Sequence, residues 1–319
     1  MIQKEIGGFF ELELPHKGEY HTQAIRLNKA RSALHYLLKT NRTKKIYLPH
    51  YMCHCILEPI SALHIDYEFY NIDEKFYPIF HQIVDENEYF LYINYFGLCG
   101  ENVQKVISNI NNVIVDNTQA FFESPIEETN TIYSPRKFFG VPDGGYLYTN
   151  VKLEDKLPKD SSFSRLQFLA KRIDSSANDS YTLYQKNEKI LTDEAPKRMS
   201  NLTQRMLQSI NYEQVKKRRN DNFQYIHNEL KAINELEWDT NNLNGPMVYP
   251  LFVRQENIKQ LLISNNIYVA TYWKEVLQYT KPNWFEHELT RYLVPLPIDQ
   301  RYSIKEMRYI VQTVKNILS

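Results

Sequence analysis

Short apolar runs alternate with amphipathic stretches from about residue 24 to residue 150. Ala30 to Leu38 carries Ala33, Leu34, Leu37 and Leu38 at helical spacing, which predicts a helix start. Lys45-Ile-Tyr-Leu48 reads as a short strand stopped by Pro49, and Tyr51 to Leu63 as a helix that Pro59 must kink or end. Ile65 to Tyr70 and Glu88 to Tyr95 have strand patterns, the second ending at Gly97. Val103 to Ile110 is helical in spacing, and Asn112-Val-Ile-Val-Asp116 is a buried strand ending in an acid. Thr131 to Ser134 and Gly145 to Thr149 are further short strands around a loop. Strand–helix–strand alternation, with helices of about 10–15 residues, predicts an α/β fold with a mostly parallel sheet covered on both faces. Ligands of such sheets bind beyond the carboxyl ends of the strands. Asp116 and Ser134 both sit at such ends.

Residues 152–240 are largely helical and polar, and the charged run Val215-Lys-Lys-Arg-Arg-Asn220 reads as a solvated helix face. Met247 to Val253 predicts a strand, Asn257 to Ser264 a helix, Leu293 to Leu296 a short strand and Ile304 to Leu318 a closing helix. Together these make a smaller α+β domain. The boundary falls between residues 190 and 245 and is drawn to give a large domain, 1–195, and a small C-terminal domain, 196–319.

Composition narrows the partners. The 319 residues hold 38 Lys plus Arg against 38 Asp plus Glu, with no charge block, so no net field draws nucleic acid or an acidic membrane face. Met1-Ile-Gln-Lys-Glu-Ile-Gly-Gly8 lacks the apolar core of a signal peptide, and no stretch approaches the roughly 18–20 apolar residues of a membrane span. Cys53, Cys55 and Cys99 are too few for a disulfide framework, so a cytoplasmic location is expected. Among only nine glycines there is no G-x-G-x-x-G, no G-x-x-x-x-G-K-[ST] and no G-x-S-x-G, which argues against nucleotide cofactors of those types and against a hydrolase elbow. His50-Tyr-Met-Cys-His-Cys55 has zinc-ligand chemistry but crowds it into six residues with no second pair downstream, so no metal is expected.

Five segments carry the chemistry: Asn28-Lys-Ala-Arg-Ser-Ala-Leu34, Tyr47-Leu-Pro-His-Tyr-Met-Cys-His-Cys55, Asn94-Tyr-Phe-Gly97, Val113-Ile-Val-Asp-Asn-Thr-Gln-Ala120, and Tyr133-Ser-Pro-Arg-Lys-Phe-Phe-Gly-Val-Pro-Asp-Gly-Gly145. A pyridoxal phosphate enzyme needs a lysine to bond the cofactor, a carboxylate facing the pyridine nitrogen, and helix-start amides with a hydroxyl for the phosphate. These segments supply each in a workable order. They resemble the DegT/DnrJ/EryC1/StrS sugar aminotransferases, pyridoxal phosphate-dependent enzymes of the aspartate aminotransferase fold (fold type I). Weaker similarity runs on through Tyr249-Pro-Leu251 and Leu296-Pro-Ile-Asp299.

The resemblance implies roles for particular residues. Lys137 matches the Schiff-base lysine, and the flanking Phe138 and Phe139 are expected to desolvate its amine. Asp116 matches the partner of the pyridine nitrogen, Gln119 the contact to the ring's phenolic oxygen, and Ser134 the phosphate-binding serine. Ala30, Arg31 and Ser32 fall where the phosphate meets a helix N-terminus. The family's stacking aromatic falls on Cys53, with Tyr51 and His54 as candidate substitutes. Glu194-Ala-Pro-Lys-Arg-Met-Ser200 resembles a segment that sends an asparagine across a dimer interface, although Ala195 stands in the asparagine's place. A homodimer, a nucleotide-linked keto-sugar substrate and an amino-acid donor, glutamate by resemblance, are therefore implied. The alternatives are a dehydratase-like reaction on a sugar and a non-catalytic dimeric protein keeping the fold.

Overall fold

The computed structural model describes residues 6–152, 156–193 and 195–319, so Met1 to Glu5 of the N-terminal stretch and Glu194 of the cross-dimer segment lie outside the described residues. The elements in chain order are β1 (Ile25–Leu27), α1 (Ala30–Thr40), β2 (Lys45–Pro49), α2 (Leu57–Ala62), β3 (Asp66–Ile72), β4 (Pro78–Ile79), β5 (Glu88–Ile93), α3 (Gly100–Asn109), β6 (Val113–Asn117), β7 (Asn130–Tyr133) and β8 (Gly145–Tyr148). There follow α4 (Gln167–Asp174), α5 (Ala177–Asp193), α6 (Asn201–Leu207), α7 (Tyr212–Leu230), β9 (Tyr249–Phe252), α8 (Ile258–Ser264), α9 (Phe285–Tyr292), β10 (Leu293–Leu296) and α10 (Ile304–Leu318).

Eight strands form one sheet in the order β1-β8-β7-β6-β5-β2-β3-β4. The β3, β2, β5, β6 and β7 strands run parallel, and β1, β4 and β8 pair antiparallel at the flanks. All five residues of β6 are buried, which is why its run reads as continuous apolar sequence rather than alternation. Because β5, β6 and β7 are parallel, Ile93, Asn117 and Tyr133 end at one sheet edge. The antiparallel β8 begins at that same edge, pairing Tyr146 with Tyr133. Gly145, the residue before, lies against α1: a Cβ there would sit 2.4 Å from the Lys29 carbonyl carbon and 2.6 Å from the Ala30 nitrogen. Only glycine allows that approach, and it fixes the start of α1 beside the ends of β6 and β7.

The expected helix over Tyr51 to Leu63 is shorter and broken. A single 3-10 turn, His54–Ile56, precedes α2, and Pro59 lies in the first turn of α2, where its missing N–H removes no intrahelical bond. The charged run at 215–220 also differs from a uniform solvated face. Lys217 and Arg218 are exposed, but Arg219 is 1% exposed; it donates to Gln300 and to the carbonyls of Pro246 and Met247, and its guanidinium lies 4.6 Å from the Phe138 ring centre.

Two apolar cores divide the chain. The first covers both faces of the large sheet and takes in Met199, Leu207, Tyr212 and Val215 from the segment expected in the small domain. The second runs from Phe223 to Val314 around the two-stranded β9–β10 sheet, α8 and α10. The long α7 therefore serves both, its N-terminal half in one core and its C-terminal half in the other. Among the described residues no helix is long and apolar enough to cross a membrane.

Candidate active site

A cavity of about 410 Å³ opens at the edge where β5, β6 and β7 end, within the size range of small-molecule sites. Its apolar floor is made by Leu91, Ile93 and Ile132, from β5 and β7. Of the residues singled out in the sequence, Ala30, Arg31, Cys53, Asp116, Gln119, Ser134 and Lys137 line it. Ser32, Tyr51 and His54 do not.

The β6 strand delivers Asp116 to the cavity with its carboxylate buried at 6% exposure. One carboxylate oxygen accepts the Thr118 backbone N–H at 2.8 Å, which sets its orientation in the turn after the strand. Lys137 closes the 3-10 turn Pro135–Lys137 that follows β7, and its Nζ donates to the Thr118 hydroxyl at 3.0 Å. Thr118 thus touches both the acid and the lysine, a role sequence reasoning missed although it lies inside the Asp-x-x-Gln segment. Phe138 and Phe139 are buried and pack against Phe121, with Phe139 also lining the cavity, while Lys137 is exposed there.

Gln119 is buried, and its side-chain oxygen accepts the Phe96 N–H at 3.0 Å. Its NH₂ end is what it can offer the cavity. Gly97, at φ +74, passes 3.1 Å (measured to its ideal Cβ) from the Gln119 carbonyl, so the Asn94-to-Gly97 turn and the Gln119 segment pack backbone on backbone. Ser134 is buried just beyond the end of β7 and lines the cavity.

The start of α1 has no side-chain cap at Lys29 and no acid in its first turn, which leaves the positive end of the helix open to an anion. Ser32 does not share that position: it is fully buried, and its hydroxyl donates to the Asn28 side chain at 2.7 Å. Arg31 lines the cavity but pairs with Glu58, so its charge is already shared with an acid of α2. Arg136, which also lines the cavity, pairs with Glu188 of α5.

Tyr51 lies inside the core, its ring 5.8 Å from that of Tyr95 and 5.0 Å from that of Trp273. His54 stacks on Tyr279 at 5.0 Å and 13°. Phe139, Phe168, Tyr184 and Trp273 do line the cavity, and Trp273, from the chain beyond α8, is the one whose ring packs against Tyr51. Nothing in its local sequence marks it, since only tertiary packing brings residue 273 to residue 53. Among the described residues no group of three or more His, Cys, Asp or Glu side chains is arranged to hold a metal ion.

The loop Asp143-Gly-Gly145 is structural. Asp143 is fully buried, accepts the Ser200 N–H at 2.9 Å and hydroxyl at 2.8 Å, and accepts the Thr203 hydroxyl as well. It ties the start of β8 to the start of α6.

The fold is that of the sugar aminotransferases. Spr1654 of Streptococcus pneumoniae, assigned as a sugar aminotransferase, superposes with a TM-score of 0.65 over 92% of this chain and 85% of its own, at 15% identity. A DegT DnrJ EryC1 StrS aminotransferase from Brucella abortus gives 0.61 over 92% and 85%, at 13% identity. PseC of Helicobacter pylori, an aminotransferase of pseudoaminic acid biosynthesis, gives 0.61 over 92% and 86%, at 15% identity. No protein-family model and no curated protein matches the sequence. These likenesses establish a shared large-sheet architecture, the expected fold type I α/β arrangement.

Proposed function

We propose that this protein is a pyridoxal phosphate-dependent aminotransferase that transfers an amino group to a keto-sugar. The observation that carries the reading is the joint placement of the Lys137 amine and the buried Asp116 carboxylate on one cavity at the carboxyl edge of the sheet. The cavity's donor set suits the cofactor: an amine, a carboxylate, a serine hydroxyl and an uncapped helix start. Solved neighbours of the same fold include one described in pyridoxal phosphate and pyridoxamine phosphate forms.

When bound, pyridoxal phosphate supplies an electron sink for the bond-breaking at the amino-bearing carbon. Lys137 would hold the cofactor covalently through Nζ and, once released, use the same nitrogen to take a proton from the substrate carbon and return it to the other side of the transfer. Asp116 would keep a negative charge opposite the ring nitrogen and so keep that nitrogen protonated. The Thr118 hydroxyl, 3.0 Å from Nζ, would hold the lysine near the ring when its nitrogen is free. The amides at the start of α1, with Ser134, would hold the phosphate. Trp273 and Cys53 would border the ring face.

The finer assignments follow from the family resemblance: a nucleotide-linked substrate, glutamate as donor, a homodimer, and a place in polysaccharide or glycan synthesis in the cytoplasm. A lysine at position 137 favours transamination over the dehydratase-like alternative, whose counterparts in the family lack it. Purified protein incubated with pyridoxal phosphate is expected to acquire the visible absorption of a lysine-bound cofactor, to lose it on glutamate addition, and to lack it in Lys137→Ala. Protein that stays colourless, or a Lys137→Ala variant indistinguishable from the parent, refutes the reading.

A further inference from the structure

We propose that Cys53 and Cys55 form a redox-active dithiol in the cavity wall, which small disulfides oxidise to an intramolecular disulfide. The two sulfur atoms stand 2.7 Å apart, and both residues line the cavity. A disulfide bond is about 2.05 Å long, so closure asks the sulfurs to approach by only about 0.7 Å. The residues flank His54 where extended chain at Cys53 enters the 3-10 turn, which brings side chains two apart to the same side. Both cysteines are half-buried and reachable through the open cavity, whereas Cys99 is buried at 5% exposure.

The surroundings divide the labour between the two thiols. The Cys53 thiol is pushed down to about 7, first by its side-chain hydrogen bond with Cys55 and further by the nearby cations Lys137 and Arg31. The Cys55 thiol is pushed up, first by its side-chain hydrogen bond with Cys53 and then by burial. One proton is in effect shared by two sulfurs, and Cys53 is the sulfur left as thiolate. Cys99 is pushed up to about 12 by burial and serves as an unreactive internal reference. Thiolate rather than thiol is the nucleophile in exchange reactions.

The exchange proceeds in two balanced steps. The Cys53 thiolate attacks one sulfur of a low-molecular-weight disulfide, forming a mixed disulfide and expelling one small thiolate. That thiolate takes the Cys55 proton. The Cys55 thiolate then attacks the Cys53 sulfur, forms the Cys53–Cys55 bond and expels the second small thiolate, which is protonated from solvent. Two protein thiols are oxidised and one small disulfide is reduced to two thiols. The negative charge next to Lys137 and Arg31 disappears with closure. On the aminotransferase reading this alters the wall beside the cofactor ring; the disulfide itself does not rest on that reading.

The test uses the whole reduced protein in oxidised/reduced glutathione mixtures, with acid quenching, alkylation and peptide mass mapping. The expected product is a loss of two hydrogens mapped to Cys53 and Cys55, with no retained glutathione and with Cys99 alkylated only after denaturation. Cys55→Ser is expected to retain one glutathione on Cys53, and Cys53→Ser to react at least tenfold more slowly than the parent. Thermal melting of both variants checks that they fold. Cys53 and Cys55 that stay reduced in the oxidising mixture, react no faster than Cys99, or each carry a separate glutathione overturn the proposal. Pyridoxal phosphate affinity is then measured on the closed and open forms: a difference of threefold or more supports coupling to the cavity, and equal affinity refutes that coupling. Binding to neither form refutes the aminotransferase reading while the mapped disulfide stands.

Discussion

Replacing Gly145 by alanine tests the contact that holds the start of α1 at the cavity. The added Cβ would lie 2.4 Å from the Lys29 carbonyl carbon, 2.5 Å from its oxygen and 2.6 Å from the Ala30 nitrogen. Ordinary carbon contacts are about 3.5–4.0 Å, so β8 and the start of α1 must separate by about 1 Å. All three obstructing atoms are backbone and cannot rotate away. Overpacking of this kind costs typically about 1–3 kcal/mol, and a rigid obstruction puts the cost near 3 kcal/mol. For a urea slope near the top of the usual range, about 3 kcal/mol per molar, the midpoint should fall by about 1 M with the slope unchanged. Gly100→Ala is the control: it sits at the first position of α3 with nothing within 4 Å of its Cβ, and should be neutral or stabilising by up to about 1 kcal/mol. An ångström of displacement at a binding helix can cost up to roughly 100-fold in function, so cofactor affinity should fall at least tenfold as well. A Gly145→Ala midpoint matching that of Gly100→Ala refutes the steric argument.

Three further outcomes follow from single substitutions. His21, 1% exposed and pushed down to about 4 by burial, stays neutral in the folded chain while an unfolded imidazole near 6.5 takes a proton; stability should therefore fall by about 2 kcal/mol between pH 7 and pH 5 from this group, a loss that urea titrations of His21→Gln should no longer show. Arg219→Met leaves the Pro246 and Met247 carbonyls and the Gln300 side chain without their donor, and should cost about 2–4 kcal/mol by urea denaturation; a cost under about 1 kcal/mol contradicts it. Trp273 is the tryptophan that lines the cavity among the described residues, so pyridoxal phosphate should quench emission in the parent and most of that quench should vanish in Trp273→Phe.

The part of the site legible in the sequence is the part built by local rules. Asp116 ends a strand whose unbroken apolar run could only be buried, and Lys137 follows β7 by four residues, so strand patterning alone places both at one edge. The start of α1 was equally legible from the spacing of Ala33, Leu34, Leu37 and Leu38. Other assignments required tertiary information. Ser32 carries a suitable hydroxyl, but Asn28 one turn back captures it. Tyr51 is a plausible stacking ring until the core takes it in, and His54 until Tyr279 stacks on it. Strands β1 and β4, of three and two residues, are too short to leave a period, and exist because β8 and β3 offer edges. The break expected from Pro59 falls just before it, at the 3-10 turn His54–Ile56, because proline disrupts a helix interior but is accommodated in the first turn of α2.

The C-terminal half reaches the candidate lysine from behind. Arg219, deep in α7, lies over the Phe138 ring, and Gln300, which accepts from Arg219, donates to the Phe138 carbonyl at 2.7 Å. Phe138 is the next residue after Lys137, so the turn that carries the lysine is clamped at its exit by residues 219 and 300. The same Arg219 donates to the carbonyls of Pro246 and Met247, just before β9. A buried guanidinium pushed down to about 10 by desolvation is an expensive way to fill space, since an apolar side chain would avoid that desolvation. Its position is accounted for by what it joins: the two cores meet at α7, and Arg219 links the lysine-bearing turn of the first to the chain entering the second. A small movement of the second core relative to the first would therefore be felt at Lys137 through Phe138.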